Sequence, residues 1–389
     1  MVLSKRERVF LTLELDGEPD LIPIHVSGFE QTNTAYQYFL KSKEYENNKT
    51  IIKNNYSQIT NNWAGDITEL RFWNADCSAM DPFEEKLITK RTKNLNDFPN
   101  CEMNPLNGKI YMMKPQVETG LMYRWYVNGY FKTREKLLSY WEEYGKPIEY
   151  INNNINYSPK VWEDYVNSLS PYVYPMARLG IAMHEALFEG MTIARVAYYM
   201  RKDPQFIHSV MKEYLKVNIE LIKRLGEAGV DIIFYYDDLG LKGRSIFSLK
   251  HFREFILPYY KKIYQECNKR SIFIVQHSCG YIDELLPDMV KAGLDCIEAL
   301  EPTAGVNLSK LKETLGDKIV FMGGMDSSRV LNFGTPYEIE EEVKRCIKAA
   351  GNGGGYFAGP SHNILNPSWD NVLAFRNALL KYRKYPLRI

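Results

Sequence analysis

Residues 271–302 read SIFIVQHSCGYIDELLPDMVKAGLDCIEALEP: a short apolar run, a polar His-Ser-Cys-Gly tail, a helical pattern closed by Gly293, and a second apolar run ending in Glu-Pro. The order recurs. Apolar or β-branched runs at 231–236, 271–276, 296–300, 319–322 and 355–358 alternate with helical periodicities at 248–270, 281–293, 308–316 and 335–351, and another comes at 368–382. Ser248 and Thr335 are expected N-caps, and Gly293, Gly316 and Gly351 expected C-caps. A further helix is predicted from Asp203-Pro204, a cap followed by a first-turn proline, to Gly229.

Apolar strands separated by helices predict a parallel sheet, either closed as a barrel or doubly wound. The residues at the strand ends decide between them. Tyr236-Asp237-Asp238, His277-Ser278-Cys279-Gly280, Glu301-Pro302, Gly323-Gly324-Met325-Asp326 and the stretch 359–363 (GPSHN) put polar, metal-capable side chains at five carboxyl ends, where a barrel keeps its active site. The predicted fold is α/β: a (β/α)8 TIM barrel with an N-terminal extension and an added β-hairpin. It takes residues 1–389 as a single domain, with 1–135 the N-terminal part and 136–389 the main barrel portion.

The first part is less regular. A helix is expected at Lys5–Leu13, a first strand at 21–26, and a hairpin at 109–132 that turns at Glu118-Thr119-Gly120. The Asn-rich stretch near 47–62 has no regular pattern, and 151–156 (INNNIN) reads as a solvated loop. The strand expected at 173–178 leads to His184-Glu185, and 351–355 (GNGGG) reads as a tight turn between helix and strand, since no Lys-Ser/Thr comes after it.

The chain is long enough for a large core, at 389 residues and 45% hydrophobic. Its 49 Lys+Arg balance 48 Asp+Glu, and no basic cluster suggests nucleic acid or an anionic membrane surface. A small-molecule partner is therefore expected. Charged residues break every apolar run near the N-terminus, and six scattered cysteines fit a reducing compartment, so the expected location is cytoplasmic.

His277 and Cys279, two apart at a strand end, point to one side and share a small volume. An imidazole and a thiol suit Zn2+, which in catalytic sites keeps one position open. His362, at another carboxyl end, converges on the same mouth, and Glu301, or as second choice Glu298, completes the set. Asp237 and Asp238 close an apolar strand, where a carboxylate is costly unless hydrogen-bonded or useful. They are read as orienting or proton-handling groups, against the alternative of a paired carboxylate and a helix cap. His184, Tyr236, Asp326 and Asn363 are expected to line the substrate pocket. His25, His208 and His251 are read as structural.

These segments, with 4–9 (SKRERV), 20–23 (DLIP), 227–231 (EAGVD), 316–318 (GDK), 334–336 (GTP) and 353–356 (GGGY), resemble the uroporphyrinogen decarboxylase superfamily over nearly the whole chain. The resemblance implies a (β/α)8 barrel and offers two chemistries. True uroporphyrinogen decarboxylases carry an N-terminal Arg-Gln-Ala-Gly-Arg segment, and nothing of that form occurs here. The zinc-dependent corrinoid methyltransferases carry His-x-Cys and a later Cys; this sequence resembles them through His277 and Cys279 and departs at His362. Two imidazoles and one thiolate leave zinc a stronger Lewis acid than two thiolates do, which favours polarising an ether oxygen over activating a thiolate. The implied function is zinc-dependent methyl transfer between a small O-methyl substrate, such as a methoxylated aromatic, and the cobalamin of a separate corrinoid protein. No Asp-x-His-x-x-Gly carrier motif is present; 25–28 (HVSG) comes nearest, with Pro23 where that motif needs Asp. The alternatives are a carboxy-lyase, for which Arg124 and Arg244 are candidate cations, and a non-catalytic corrinoid- or tetrapyrrole-binding barrel.

Overall fold

The computed structural model describes residues 2–26, 34–49, 67–80, 84–85, 95, 97–115, 122–156, 159–179 and 183–389. Seven parallel strands form one curled sheet in chain order: β1 (Cys77–Met80), β2 (Tyr174–Arg178), β3 (Ile232–Tyr236), β4 (Phe273–Ser278), β5 (Cys296–Ala299), β6 (Val320–Met325) and β7 (Tyr356–Pro360). The eighth position belongs to the segment predicted as a first strand at 21–26. It is narrower than expected, making parallel bridges from Ile24 to Ala358 and from His25 to Cys77, so that it joins β7 to β1 and closes the ring. A Cβ at Gly359 would lie 2.0 Å from the His25 carbonyl oxygen, so this closure requires glycine there.

Period two divides the apolar residues into two cores. Cys77, Ala79, Tyr174, Met176, Ile232, Phe234, Val275, Cys296, Val320, Met322 and Phe357 fill the barrel, with Val9 and Leu13 of helix α1 (Lys5–Leu13) against them. The alternate residues, such as Ile233, Tyr235, Ile274, Ile297 and Phe321, face the surrounding helices. Helix α1 starts on a capping box between Ser4 and Glu7. Asp76, just before β1, is buried and accepts from Arg8, Arg383 and the Ile24 N–H, which ties both ends of the described chain to the ring.

Most predicted helix signals hold in place. Ser248 accepts from the His251 N–H, Thr335 and Glu338 form a capping box, and Asp203 caps helix α3 (Pro204–Glu227). Gly293 ends its helix with φ 104°. That helix covers only Leu286–Ala292, and the helix predicted over 248–270 is interrupted by a π-helical turn, Phe252–Ile256, ahead of Pro258. A proline inside a helix removes one hydrogen bond and displaces the preceding turn. The residues 351–355 form the expected turn, with Gly353, Gly354 and Gly355 at positive φ.

The hairpin is present as Lys109–Pro115 paired antiparallel with Met122–Gly129, and a short strand, Glu102–Met103, adds to its edge. Its expected turn at 118–120 lies outside the described residues, as does most of the Asn-rich stretch. The stretch 151–156 departs from expectation. It ends a helix, Pro147–Asn154, and adds two strand residues, because Tyr150 and Ile151 are buried in the core and hold the helix against helix α3. Among the described residues, no helix is long and apolar enough to cross a membrane.

Candidate active site

The inward parity of β4 runs through Val275 to His277, and that of β5 through Cys296 to Glu298, so an imidazole and a carboxylate stand on the apolar filling of the barrel. The register pairs His277 with Glu298 directly. Glu298 Oε2 contacts His277 Nδ1, which leaves Nε2 facing the mouth. There it lies 3.2 Å from Cys279 Sγ and 3.4 Å from Asp238 Oδ1. Among the described residues, Asp238, His277 and Cys279 form the group whose ligand atoms all fall within 4.8 Å of one another.

The two adjacent aspartates have parted. Asp238 turns inward and accepts the Cys279 N–H at 2.8 Å. Asp237 turns outward into the helical layer, where helix α2 (Met183–Met191) begins. Its carboxylate accepts the N–H groups of Met183, His184 and Glu185 and the Tyr260 hydroxyl, with His184 Nδ1 at 2.6 Å. An anion on the first N–H groups of a helix is a strong anchor. Asp237 is fully buried, so the structure places it beneath the mouth as the support of helix α2.

The charges around His277 describe a site for a cation. Burial pulls the imidazole down, yet the charges of Glu298 and Cys279 and the bond to Asp238 outweigh it and hold the ring well above its ordinary range. Burial pushes the Cys279 thiol up to about 12, against the pull of His277. Burial would also raise Asp238, but His277 and the Cys279 N–H hold it well below the usual carboxylate range. One nitrogen, one sulfur and one oxygen thus converge on a volume that favours positive charge, with the other ring nitrogen held by a carboxylate. That donor set fits Zn2+ and its usual carboxylate–histidine support.

The other predicted residues stand at different distances from this centre. The His362 ring is 6.3 Å from that of His277, centroid to centroid, and burial pulls its imidazole below the ordinary value. Glu301 lies outside the tight group but acts on Cys279 and His362 through its charge. It comes directly after Ala299 and Leu300, whose φ of 95° and 57° are left-handed; such strain costs on the order of 1–3 kcal/mol per residue and gathers at functional sites. Tyr236 ends β3 with over a third of its surface exposed, and Asn363 is half-buried after β7. His184 is buried edge-on to Phe188 and Phe247. Asp326 is buried and accepts the Arg329 N–H, with the Arg329 guanidinium 3.4 Å away.

In comparison with known families, residues 185–382, just over half of the chain, match uroporphyrinogen decarboxylase (URO-D). The chain belongs to the uroporphyrinogen decarboxylase family. Curated members of that family similar to this chain have two kinds of name. A uroporphyrinogen decarboxylase from Chlorobium phaeovibrioides is 27% identical over 43% of this chain and 46% of its own length. A methylated-thiol–coenzyme M methyltransferase from Methanosarcina mazei is 23% identical over 40% of each chain. The matched region thus spans less than half the length of these relatives. A solved methyltransferase from Methanosarcina mazei superposes with a TM-score of 0.61 over 98% of this chain and 99% of its own at 13% identity, which shows a shared fold.

Within the uroporphyrinogen decarboxylase family barrel, two features escape sequence reasoning. Glu298, only the second choice as a ligand, is found behind His277; the pairing depends on the register between β4 and β5, which local sequence does not carry. Arg178 stands at the carboxyl end of β2 with no motif to mark it, although its inward parity is that of Tyr174 and Met176.

Proposed function

We propose that the protein is a zinc-dependent methyltransferase that moves a methyl group between a small O-methyl substrate of the methoxylated-aromatic kind and the cobalamin of a separate corrinoid protein. One observation carries the reading: His277 Nε2, Cys279 Sγ and Asp238 Oδ1 converge at the carboxyl mouth of the barrel, with Glu298 on the second nitrogen of His277. The methyltransferase among the relatives supports it.

His277, Cys279 and Asp238 would hold the metal, with His362, its ring 6.3 Å from that of His277, and Glu301, whose charge acts on Cys279, as candidate further donors. Zinc bound there supplies Lewis acidity towards a substrate oxygen, which weakens the bond from that oxygen to its methyl carbon. Tyr236 and Asn363 would line the pocket from the ends of β3 and β7. Asp237 supports this work from below through helix α2.

A carboxy-lyase is the second reading, favoured by Arg178 at the mouth, where a cation can receive a substrate carboxylate. Incubation with chemically reduced cobalamin and a methoxylated benzoate separates the two. The methyltransferase consumes cob(I)alamin, releases the phenol, and loses both activities in His277→Ala. Release of carbon dioxide from a carboxylated substrate, indifferent to chelators and to His277→Ala, would select the lyase.

A further inference from the structure

His25 lies in the segment that closes the ring, and its side chain faces the barrel interior. Ile22, Ile24 and Val26 of that segment pack with the surrounding helices, so His25 points inward, and its bridge partner Cys77 belongs to the inner core. In the closed ring β4, which carries His277, stands directly across the barrel from this segment. The ring of Phe234 links the two imidazoles, with its centroid 5.9 Å from that of His25 and 6.3 Å from that of His277.

Two observations set His25 apart from the apolar filling around it. A histidine that is only structural needs a partner for its imidazole, because a buried polar group without one is costly. His25 is 5% exposed, and among the described residues neither of its ring nitrogens makes a hydrogen bond. Its backbone makes the fixed contact, an N–H donated to the Ala358 carbonyl at 3.0 Å. The second observation is the size of its neighbours. Towards the mouth, the next inward residue of β1 after Cys77 is Ala79, and the next of β7 after Phe357 is Gly359, which abuts the His25 carbonyl. These two strands therefore put nothing larger than a methyl group into the volume between His25 and the mouth, while Phe234, His277 and Glu298 occupy the facing wall.

We propose that this volume is the inner end of the substrate pocket, and that His25 binds there a hydroxyl group that the substrate carries besides its methyl ether. The assignment rests on the methyl-transfer reading and names a methoxyphenol as the substrate class. A neutral imidazole has one donor and one acceptor, the complement of a hydroxyl group, whereas a carboxylate only accepts. The ether oxygen is then directed to the metal site beside His277, and Phe234 is the surface along which the aromatic ring lies between the two imidazoles.

The test compares demethylation of methoxybenzene and of the three methoxyphenol isomers by the zinc-loaded protein with chemically reduced cobalamin. Wild type, His25→Phe and His25→Gln are assayed, with zinc content and circular dichroism checked in each. In the wild type at least one isomer should exceed methoxybenzene in kcat/KM by about tenfold or more, the scale of one hydrogen bond to a buried group. His25→Phe should erase most of that preference, and His25→Gln, which keeps a donor and an acceptor, should retain part of it. A wild type without the preference, or a preference that survives in His25→Phe, overturns the role of His25 and leaves the methyl-transfer reading standing. A wild type that demethylates none of the four overturns the methyl-transfer reading instead, and the contact is then decided by calorimetry. The dihydroxybenzene product of the preferred isomer should bind the wild type about tenfold or more tighter than phenol does, and His25→Phe should remove the difference. Equal binding of the two by the wild type overturns the contact.

Discussion

Gly240 and Gly280 touch backbone to backbone: a Cβ on Gly240 would lie 2.4 Å from the Gly280 carbonyl carbon, and one on Gly280 would lie 2.3 Å from that of Gly240. The contact joins the loop after β3, which carries Asp238, to the loop after β4, which carries Cys279. Around it the Gly240 N–H donates to the Cys279 carbonyl and the Tyr281 N–H to the Leu241 carbonyl. Asp238 and Cys279, candidate ligands from two loops, are thereby held to one geometry beside His277 at the end of β4. Gly240→Ala must push the loops apart. It should weaken zinc binding at least about tenfold, as loss of supporting contacts around metal ligands does, while helical content is kept; chelator competition beside circular dichroism measures both.

Glu298 should matter to the metal more than to the fold. Glu298→Gln keeps an acceptor for His277 Nδ1 but removes the charge that makes the imidazole a stronger donor. Zinc affinity should fall about 10- to 100-fold with the thermal midpoint little changed. Undiminished affinity in Glu298→Gln would show that the contact is incidental.

Asp237 and Asp238 should separate cleanly. Asp237→Ala leaves His184 and the first turn of helix α2 without their buried anion, and urea unfolding should report a loss of about 3–5 kcal/mol. Asp238→Asn should leave urea stability nearly intact and reduce bound zinc instead. Equal effects of the two changes on stability would erase the division of roles.

Asp295 supplies a pH signature remote from the mouth. Burial pushes its carboxyl up to about 6, against the pull of the Ile274 N–H, 2.8 Å from its Oδ2. A group raised in the folded state above its ordinary value of 3.8 is protonated more readily when folded, so its cost is full above about pH 6 and disappears as pH falls towards 4. Asp295→Asn keeps an acceptor for Ile274 and should stabilise the protein by up to about 3 kcal/mol at neutral pH. The gain should vanish near pH 4, as urea midpoints across the range would show.

Much of this architecture is legible residue by residue. The strands β3 to β7 announce themselves as apolar runs, and Ser248, Asp203 and Thr335 mark helix starts that the structure keeps. The pairing of His277 with Cys279 comes from strand parity alone, because the side-chain period of two is local. Features that depend on partners distant in sequence are hidden from such a reading. The segment around Ile24 is strand-like only because Ala358 and Cys77 flank it. The helix ending in Asn154 contradicts its polar composition because Ile151 and Tyr150 find a core. Sequence leaves Asp237 and Asp238 open between function and capping; they separate only when helix α2 arrives to receive the first and the Cys279 loop the second.

The most direct test of the metal centre is zinc per chain, by elemental analysis, in the purified wild type beside His277→Ala, Cys279→Ser and Asp238→Asn. About one zinc is expected in the wild type and a marked loss in all three variants, each still folded by circular dichroism. A folded wild type that holds no zinc when zinc is supplied, or zinc that is retained in all three variants, would contradict a zinc site built from these residues.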